Sequence, residues 1–255
     1  MKMVMVQDKI KKIIEKKGAA YFILIDPDKT SGSQLEKFID ICVKSDVDGF
    51  LIGGSLMLNP NLTKEIALIK SKCSLPIIIF PGSISQISPN ADALLYISLI
   101  SGRNADHIIG KHVLAAPMIK KIGIEPISTG YILVESGSIT TAEYVSGSKP
   151  IPRNKPEIAM ATALAAEFMG MKFIYLEAGS GAKLPVPDEM IRLVSANCTI
   201  PLIVGGGICD AKTAGDKVKS GAKIIVTGNH FEQTNNWKEI KNFADAIHGS
   251  TLLEI

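Results

Sequence analysis

Short, continuous apolar runs alternate with longer amphipathic stretches along most of the chain. Runs of that kind are the pattern of parallel strands buried on both faces and joined by crossover helices. They predict strands at 21–25, 50–53, 77–80, 93–97, 127–134, 173–177, 202–204 and 223–227. Helices are predicted over 33–45, 61–73, 104–120, 157–170, 187–196, 210–219 and 235–247, while the stretch after the third strand is too rich in Pro and Ser for one. The opening MKMVMVQDKIKKIIEKKG alternates apolar residues with lysines and reads as an amphipathic helix rather than a signal peptide. Eight strands in this order predict an α/β fold, a single (β/α)8 barrel over 1–255, modified around the third βα connection.

Two local repeats support that reading. SLPIIIFPG at 74–82 matches TIPLIVGGG at 199–207, and the same offset of 125 pairs Gly54-Ser55 with Gly179-Ser180, as expected of a duplicated half-barrel. The Pro- and Lys/Arg-rich stretch 147–157 lies between a strand and a helix, so it reads as a long loop at the barrel mouth and not as an interdomain linker.

Composition narrows the class further. The 255 residues carry a formal charge of only +3, from 28 Lys+Arg and 25 Asp+Glu, which gives no footprint for nucleic acid. A hydrophobic share of 46% against 21% charged supplies a large core and excludes a mostly disordered chain. No apolar run approaches the ~20 residues a spanning helix needs, so a cytoplasmic protein is expected. Four cysteines without a CxxC pair and four scattered histidines predict reduced thiols and no structural zinc.

Three features could carry chemistry. Glycine turns, Gly205-Gly206-Gly207 and Gly228-Asn229, follow the last two strands, where this fold commonly builds a phosphate site from bare backbone N–H groups. The run Phe173-Ile174-Tyr175-Leu176-Glu177-Ala178-Gly179-Ser180-Gly181 ends a strand in a carboxylate, and alternation puts Tyr175 and Glu177 on one face. Glu177 is then either a general base at the mouth or a residue that caps the next loop or meets a lysine. Asp26, leaving the first strand at Asp26-Pro27-Asp28-Lys29, and Ser55 of the neighbouring strand could offer oxygens to Mg²⁺; the alternative is that the aspartates cap the next helix, which is preferred for Asp28.

Other residues read differently. Lys172 and Lys223 begin their strands, at the end of the barrel away from catalysis. His107 and His112 on a helix read as surface or packing residues, and Met160 and Met169 as core. Arg103, Lys149, Arg153 and Lys155 read either as ordinary solvated charges or, on mouth loops, as cations that draw an anionic substrate inward. These features suit several phosphate-binding barrels, among them a sugar-phosphate isomerase or a non-catalytic phospholipid-binding barrel.

In sequence, LIDPDK, GFLIGGS, IIIFPGS, GYILVESG, YLEAGSGA, IVGGGI and VTGN occur in this order at these barrel positions. From 21 to 243 the chain resembles the geranylgeranylglyceryl phosphate synthases, and YLEAGSGA with KPIPRNKPEIA is similar to their group II. The resemblance implies a prenyltransferase that joins the C3 hydroxyl of sn-glycerol 1-phosphate to geranylgeranyl diphosphate or a similar long prenyl diphosphate, releasing diphosphate in ether-lipid synthesis. It implies Mg²⁺ at Asp26 and Ser55. Glycerol phosphate would be held by Tyr175, Leu176, Glu177, Ala178, Gly179, Ser180, Gly181, Gly206, Gly207, Gly228 and Asn229. Glu177 would be the base, with Tyr175 beside it, and Tyr131 a mobile tyrosine closing over the prenyl groove. Leu94, Leu95, Tyr96, Ile97, Leu99 and Ile100 are candidates for that groove. A homo-oligomer is implied, a hexamer with Tyr144 as its aromatic anchor, together with transient contact at a membrane surface.

Overall fold

The computed structural model describes residues 5–58 and 61–249. Its strands are β1 (Ala20–Ile25), β2 (Gly49–Ile52), β3 (Ile77–Ile79), β4 (Ala93–Leu99), β5 (Glu125–Leu133), β6 (Phe173–Glu177), β7 (Leu202–Gly205) and β8 (Ile224–Thr227). They close in sequence order into a parallel barrel, β1 pairing with both β2 and β8. Around it run α1 (Val6–Lys17), α2 (Gly32–Lys44), α3 (Leu62–Lys72), α4 (Lys111–Ile122), α5 (Thr141–Ser146), α6 (Pro156–Phe168), α7 (Asp188–Asn197), α8 (Ala211–Lys219) and α9 (Ile240–Gly249). As expected, no helix bridges β3 and β4.

Strand alternation divides the apolar residues into two cores. Phe22, Leu51, Ile78, Leu95, Phe173, Tyr175, Ile203 and Val226 fill the barrel interior, whereas Ile23, Ile52, Ile79, Leu94, Ile174, Leu176, Val204 and Ile225 face the helices. The amphipathic α1 turns Val6 and Ile10 into the interior core and closes its N-terminal end. Its first amides, of Val6 and Gln7, donate to the Glu125 carboxylate at the start of β5, an anion at the positive end of a helix. Among the described residues, the polar cavity lies at the opposite end of the barrel, at the C-terminal ends of the strands.

Several expectations need correction. The helix predicted over 104–120 is a π turn, Asp106–Gly110, running into α4, which tolerates Pro117 in its interior. The segment expected to be helical from 235 starts as a 3₁₀ stretch, Thr234–Glu239. The short α5 went unpredicted, although Thr140, whose hydroxyl accepts from the Glu143 amide, presents a cap three residues before an acid. Asp28 does not cap α2; its carboxylate accepts from the Leu58 amide at 2.7 Å and ties the β1 loop to the β2 loop. Met169, expected in the core, is 68% exposed just past α6, whereas Met160 packs against the core. The 125-residue offset superposes β2 on β6 and β3 on β7 but fails for the outer strands of each half, where loop lengths differ.

Candidate active site

The mouth of the barrel holds two connected chambers of opposite character. A polar cavity of about 590 Å³ is lined by Asp26, Lys29, Ser55, Tyr175, Glu177, the Gly179–Gly181 turn, Gly206, Gly207, Gly228 and Asn229. Beside it an apolar groove of about 160 Å³ runs between β4 and α4, walled by Leu94, Leu95, Tyr96, Ile97, Leu99, Ala115 and Ile119. Ile100, expected in the groove, instead packs toward Gly130 and the helical layer. His107 and His112, expected on a surface or in packing, line the groove, and His112 places Nε2 3.2 Å from the Ser98 hydroxyl.

Glu177 is the last residue of β6 and faces into the polar cavity, only 6% exposed. It meets no lysine. Burial raises its carboxyl from the ordinary 4.5 to about 7, against the opposing pull of the Gly179 amide, which donates to Oε1 at 2.7 Å, and of Tyr175. One layer below, the fully buried Tyr175 hydroxyl interacts with that carboxylate without forming a well-aligned hydrogen bond. The neighbouring β7 must yield space: a Cβ on Gly205 would lie 2.6 Å from the Tyr175 hydroxyl and 2.8 Å from Glu177 Oε2. Glycine at 205 therefore lets the acid and the phenol sit side by side.

The glycine turns surround this carboxylate. Gly206 adopts φ +83°, and a Cβ there would crowd the Gly179 amide at 2.7 Å, so the β6 and β7 turns approach backbone to backbone. Asn229, after β8, ties the rim together. Its Oδ1 accepts from the Ser180 hydroxyl at 2.9 Å and the Gly181 amide at 3.0 Å, while its Nδ2 donates to Glu232 at 2.7 Å. Glu232 in turn pairs with Lys29 at 2.9 Å. Leu176 and Ala178, expected at the ligand, point their side chains into the helical layer, because alternation on β6 sends them away from Tyr175 and Glu177.

Asp26 and Ser55 line the same cavity from β1 and β2. The Asp26 carboxylate lies against the backbone at Gly54, next to Ser55, and burial raises its pKa, with Asp28 and Glu232 adding to the rise. Among the described residues no three acidic, His or Cys side chains cluster as a metal site. Arg103, Lys149, Arg153 and Lys155, which read either as solvated charges or as cations steering an anion, do not line the polar cavity; Arg103 and Arg153 donate to the backbone carbonyls of Gly102 and Glu135. Lys29 lines the cavity. Lys172 and Lys223 precede β6 and β8, away from the mouth.

The arrangement fits a base held near neutrality, an anion cradle and an oily trench. The model of the PcrB family matches residues 11–247. A protein of Chitinophaga pinensis named geranylgeranylglyceryl phosphate synthase is 46% identical over 231 residues, covering 91% of both chains. One of Pyrococcus horikoshii with the same name is 44% identical over 241 residues, 94% of each. The solved (S)-3-O-geranylgeranylglyceryl phosphate synthase of Thermoplasma acidophilum, in complex with sn-glycerol-1-phosphate, superposes with a TM-score of 0.89 at 30% identity, covering 97% of this chain and all of that one. Tryptophan synthase of Mycobacterium tuberculosis shares the barrel alone, with a TM-score of 0.62 at 12% identity. By the match along most of its length and by these relatives, the chain belongs to the PcrB family, among proteins named geranylgeranylglyceryl phosphate synthase.

Proposed function

We propose that this chain is a prenyltransferase that forms an ether between the C3 hydroxyl of sn-glycerol 1-phosphate and the C1 carbon of a long prenyl diphosphate such as geranylgeranyl diphosphate, releasing diphosphate. The observation that carries the reading is the junction of a polar cavity holding Glu177 with an apolar groove, because one amphipathic donor must occupy both. The relatives' names and the glycerol phosphate bound in the Thermoplasma structure support the same reaction.

The chain's own residues divide the work. The turns at Gly179–Gly181, Gly206-Gly207 and Gly228-Asn229 bound the space for the phosphate end of glycerol phosphate, and Asn229 keeps the first and last of them in register. Fixing that end holds the C3 hydroxyl toward the donor and removes much of the entropic barrier beforehand. Glu177 takes the hydroxyl proton as oxygen attacks. Its pKa of about 7 leaves a substantial deprotonated fraction at neutral pH while keeping basicity, as a general base requires. The groove residues Leu95, Ile97 and Leu99 bury the prenyl tail and exclude water from the allylic carbon. Tyr131, at the border of the two chambers, closes over the groove when the donor is bound.

The charge in the polar cavity fits a divalent cation. Asp26, Glu177 and Glu232 line it against Lys29, so a diphosphate would enter a site already rich in carboxylate. Asp26 and Ser55 would hold Mg²⁺ with few protein oxygens, leaving its other positions to water and phosphate. When bound, Mg²⁺ supplies neutralisation of the diphosphate leaving group. Tyr144, 82% exposed on α5, is the proposed anchor of a hexameric assembly, and contact with membranes is proposed to be transient. None of the helices among the described residues is long and apolar enough to cross a membrane.

The test is incorporation of radiolabelled sn-glycerol 1-phosphate into solvent-extractable lipid in the presence of prenyl diphosphates of graded length. Extractable label that requires a prenyl diphosphate supports the reading. No product with any donor, alongside turnover of an aminated ribose phosphate, overturns it in favour of a sugar-phosphate isomerase.

A further inference from the structure

Gly54, Ser55, Phe80, Tyr131 and Ala142 line both chambers and so mark their border. A prenyl diphosphate with its phosphates in the polar cavity and its tail in the groove places its allylic C1 at this border. The residue with an aromatic face and no polar atom there is Phe80, directly after β3. Its ring stacks on Tyr175 with centroids 5.4 Å apart and planes 16° from parallel. Tyr131 flanks it at 5.8 Å and 60°, and meets Tyr175 edge-on at 5.4 Å. The fully buried Tyr175 ring, stacked on Phe80, holds it beside the reacting carbon.

Breaking the allylic C–O bond leaves positive charge on C1, and an aromatic face in a desolvated site attracts a cation through its quadrupole. An aliphatic side chain of similar bulk would bury the same carbon without that attraction. We propose that Phe80 is a further catalytic residue, its ring stabilising the positive charge that develops on the allylic C1. The inference rests on the prenyl-transfer reading above. The step balances as a substitution: the C1–O bond to diphosphate breaks with both electrons leaving on diphosphate. A lone pair of the glycerol C3 hydroxyl forms the new C1–O bond, and the hydroxyl proton passes to Glu177. No oxidation or reduction is involved.

The experiment places phenylalanine, 4-fluoro-, 3,5-difluoro- and 3,4,5-trifluorophenylalanine at position 80 of the full chain. Each fluorine weakens the ring quadrupole while changing its shape little. Single-turnover ether formation from sn-glycerol 1-phosphate and geranylgeranyl diphosphate with Mg²⁺ is measured, together with calorimetric binding of sn-glycerol 1-phosphate. The expected result is a logarithm of the rate that falls linearly with fluorine number, to about 30-fold at three fluorines, with acceptor binding unchanged. F80L should lose turnover by about the same factor and keep acceptor binding. A rate flat across the fluorinated series, even with F80L impaired, would reduce Phe80 to a packing residue and overturn the proposal. An unsubstituted enzyme that makes no ether would instead defeat the prenyl-transfer reading itself.

Discussion

Replacing Glu177 by Gln should stabilise the protein at alkaline pH while removing most of its turnover. The Glu177 carboxyl ordinarily titrates at 4.5 and here at about 7, chiefly because it is buried. A carboxyl whose folded pKa is raised binds its proton more tightly in the folded than in the unfolded chain. Its effect on stability is therefore neutral below about pH 4.5, becomes unfavourable as pH rises toward 7, and levels off above. At about 1.4 kcal/mol per pH unit this interval is worth about 3 kcal/mol. Gln cannot ionise, yet its side-chain oxygen can still accept from the Gly179 amide and its NH₂ can face the Tyr175 hydroxyl. Urea unfolding of wild-type and E177Q proteins at 25 °C without metal, from pH 4 to 8.5, measures the effect. The stability of E177Q relative to wild type should rise by about 3 kcal/mol across that range, mostly between pH 5 and 7.5. A difference that stays flat with pH, or falls, would refute the claim that burial holds this carboxyl near neutrality. In the same variant kcat should drop by ~10²- to 10⁴-fold with glycerol phosphate binding retained.

Other perturbations bear on separate parts of the site. G205A should displace both Tyr175 and Glu177, lowering turnover at least tenfold and stability by about 1–3 kcal/mol, read by steady-state kinetics and urea unfolding. N229A removes the bonds that join the β6 and β8 turns, so KM for glycerol phosphate should rise on the order of tenfold, with a smaller change in the prenyl diphosphate KM. The pH profile of kcat/KM should rise with pH to a plateau with an apparent pKa near 7, and the rising limb should be absent in whatever residual activity E177Q retains. D26N should raise the Mg²⁺ concentration needed for half-maximal activity, and EDTA should abolish product while leaving the unfolding midpoint of the metal-free protein unchanged.

The barrel was legible because its strands are buried on both faces and therefore stand out as unbroken apolar runs. Parts that depend on local hydrogen bonding were harder. Asp28 looked like a helix cap, since Asp commonly caps, but the partner that claims it, the Leu58 amide, comes from the next βα loop. The pairing of Tyr175 with Glu177 followed from alternation alone, and alternation also explains why Leu176 and Ala178 turn away. Of the two readings open for the mouth cations, the steering one does not hold for Arg103 and Arg153, which donate to nearby carbonyls, whereas Lys29 reaches the cavity through a turn whose direction no spacing reveals. Phe80 gave no signal beyond ending an apolar run, because its place at the border of two chambers arises only when β3 and β5 are brought together by β4.

The central claim is that one chain joins these two substrates through an ether. Mass spectrometry and NMR of the product from sn-glycerol 1-phosphate, geranylgeranyl diphosphate and Mg²⁺, with diphosphate release counted in parallel, test it most directly. Reactions with sn-glycerol 3-phosphate and with EDTA serve as controls. The account predicts an ether between glycerol C3 and prenyl C1, one diphosphate per ether, and little or no product in either control. Free prenyl alcohol with diphosphate and no ether, or equal use of both glycerol phosphates, would contradict it.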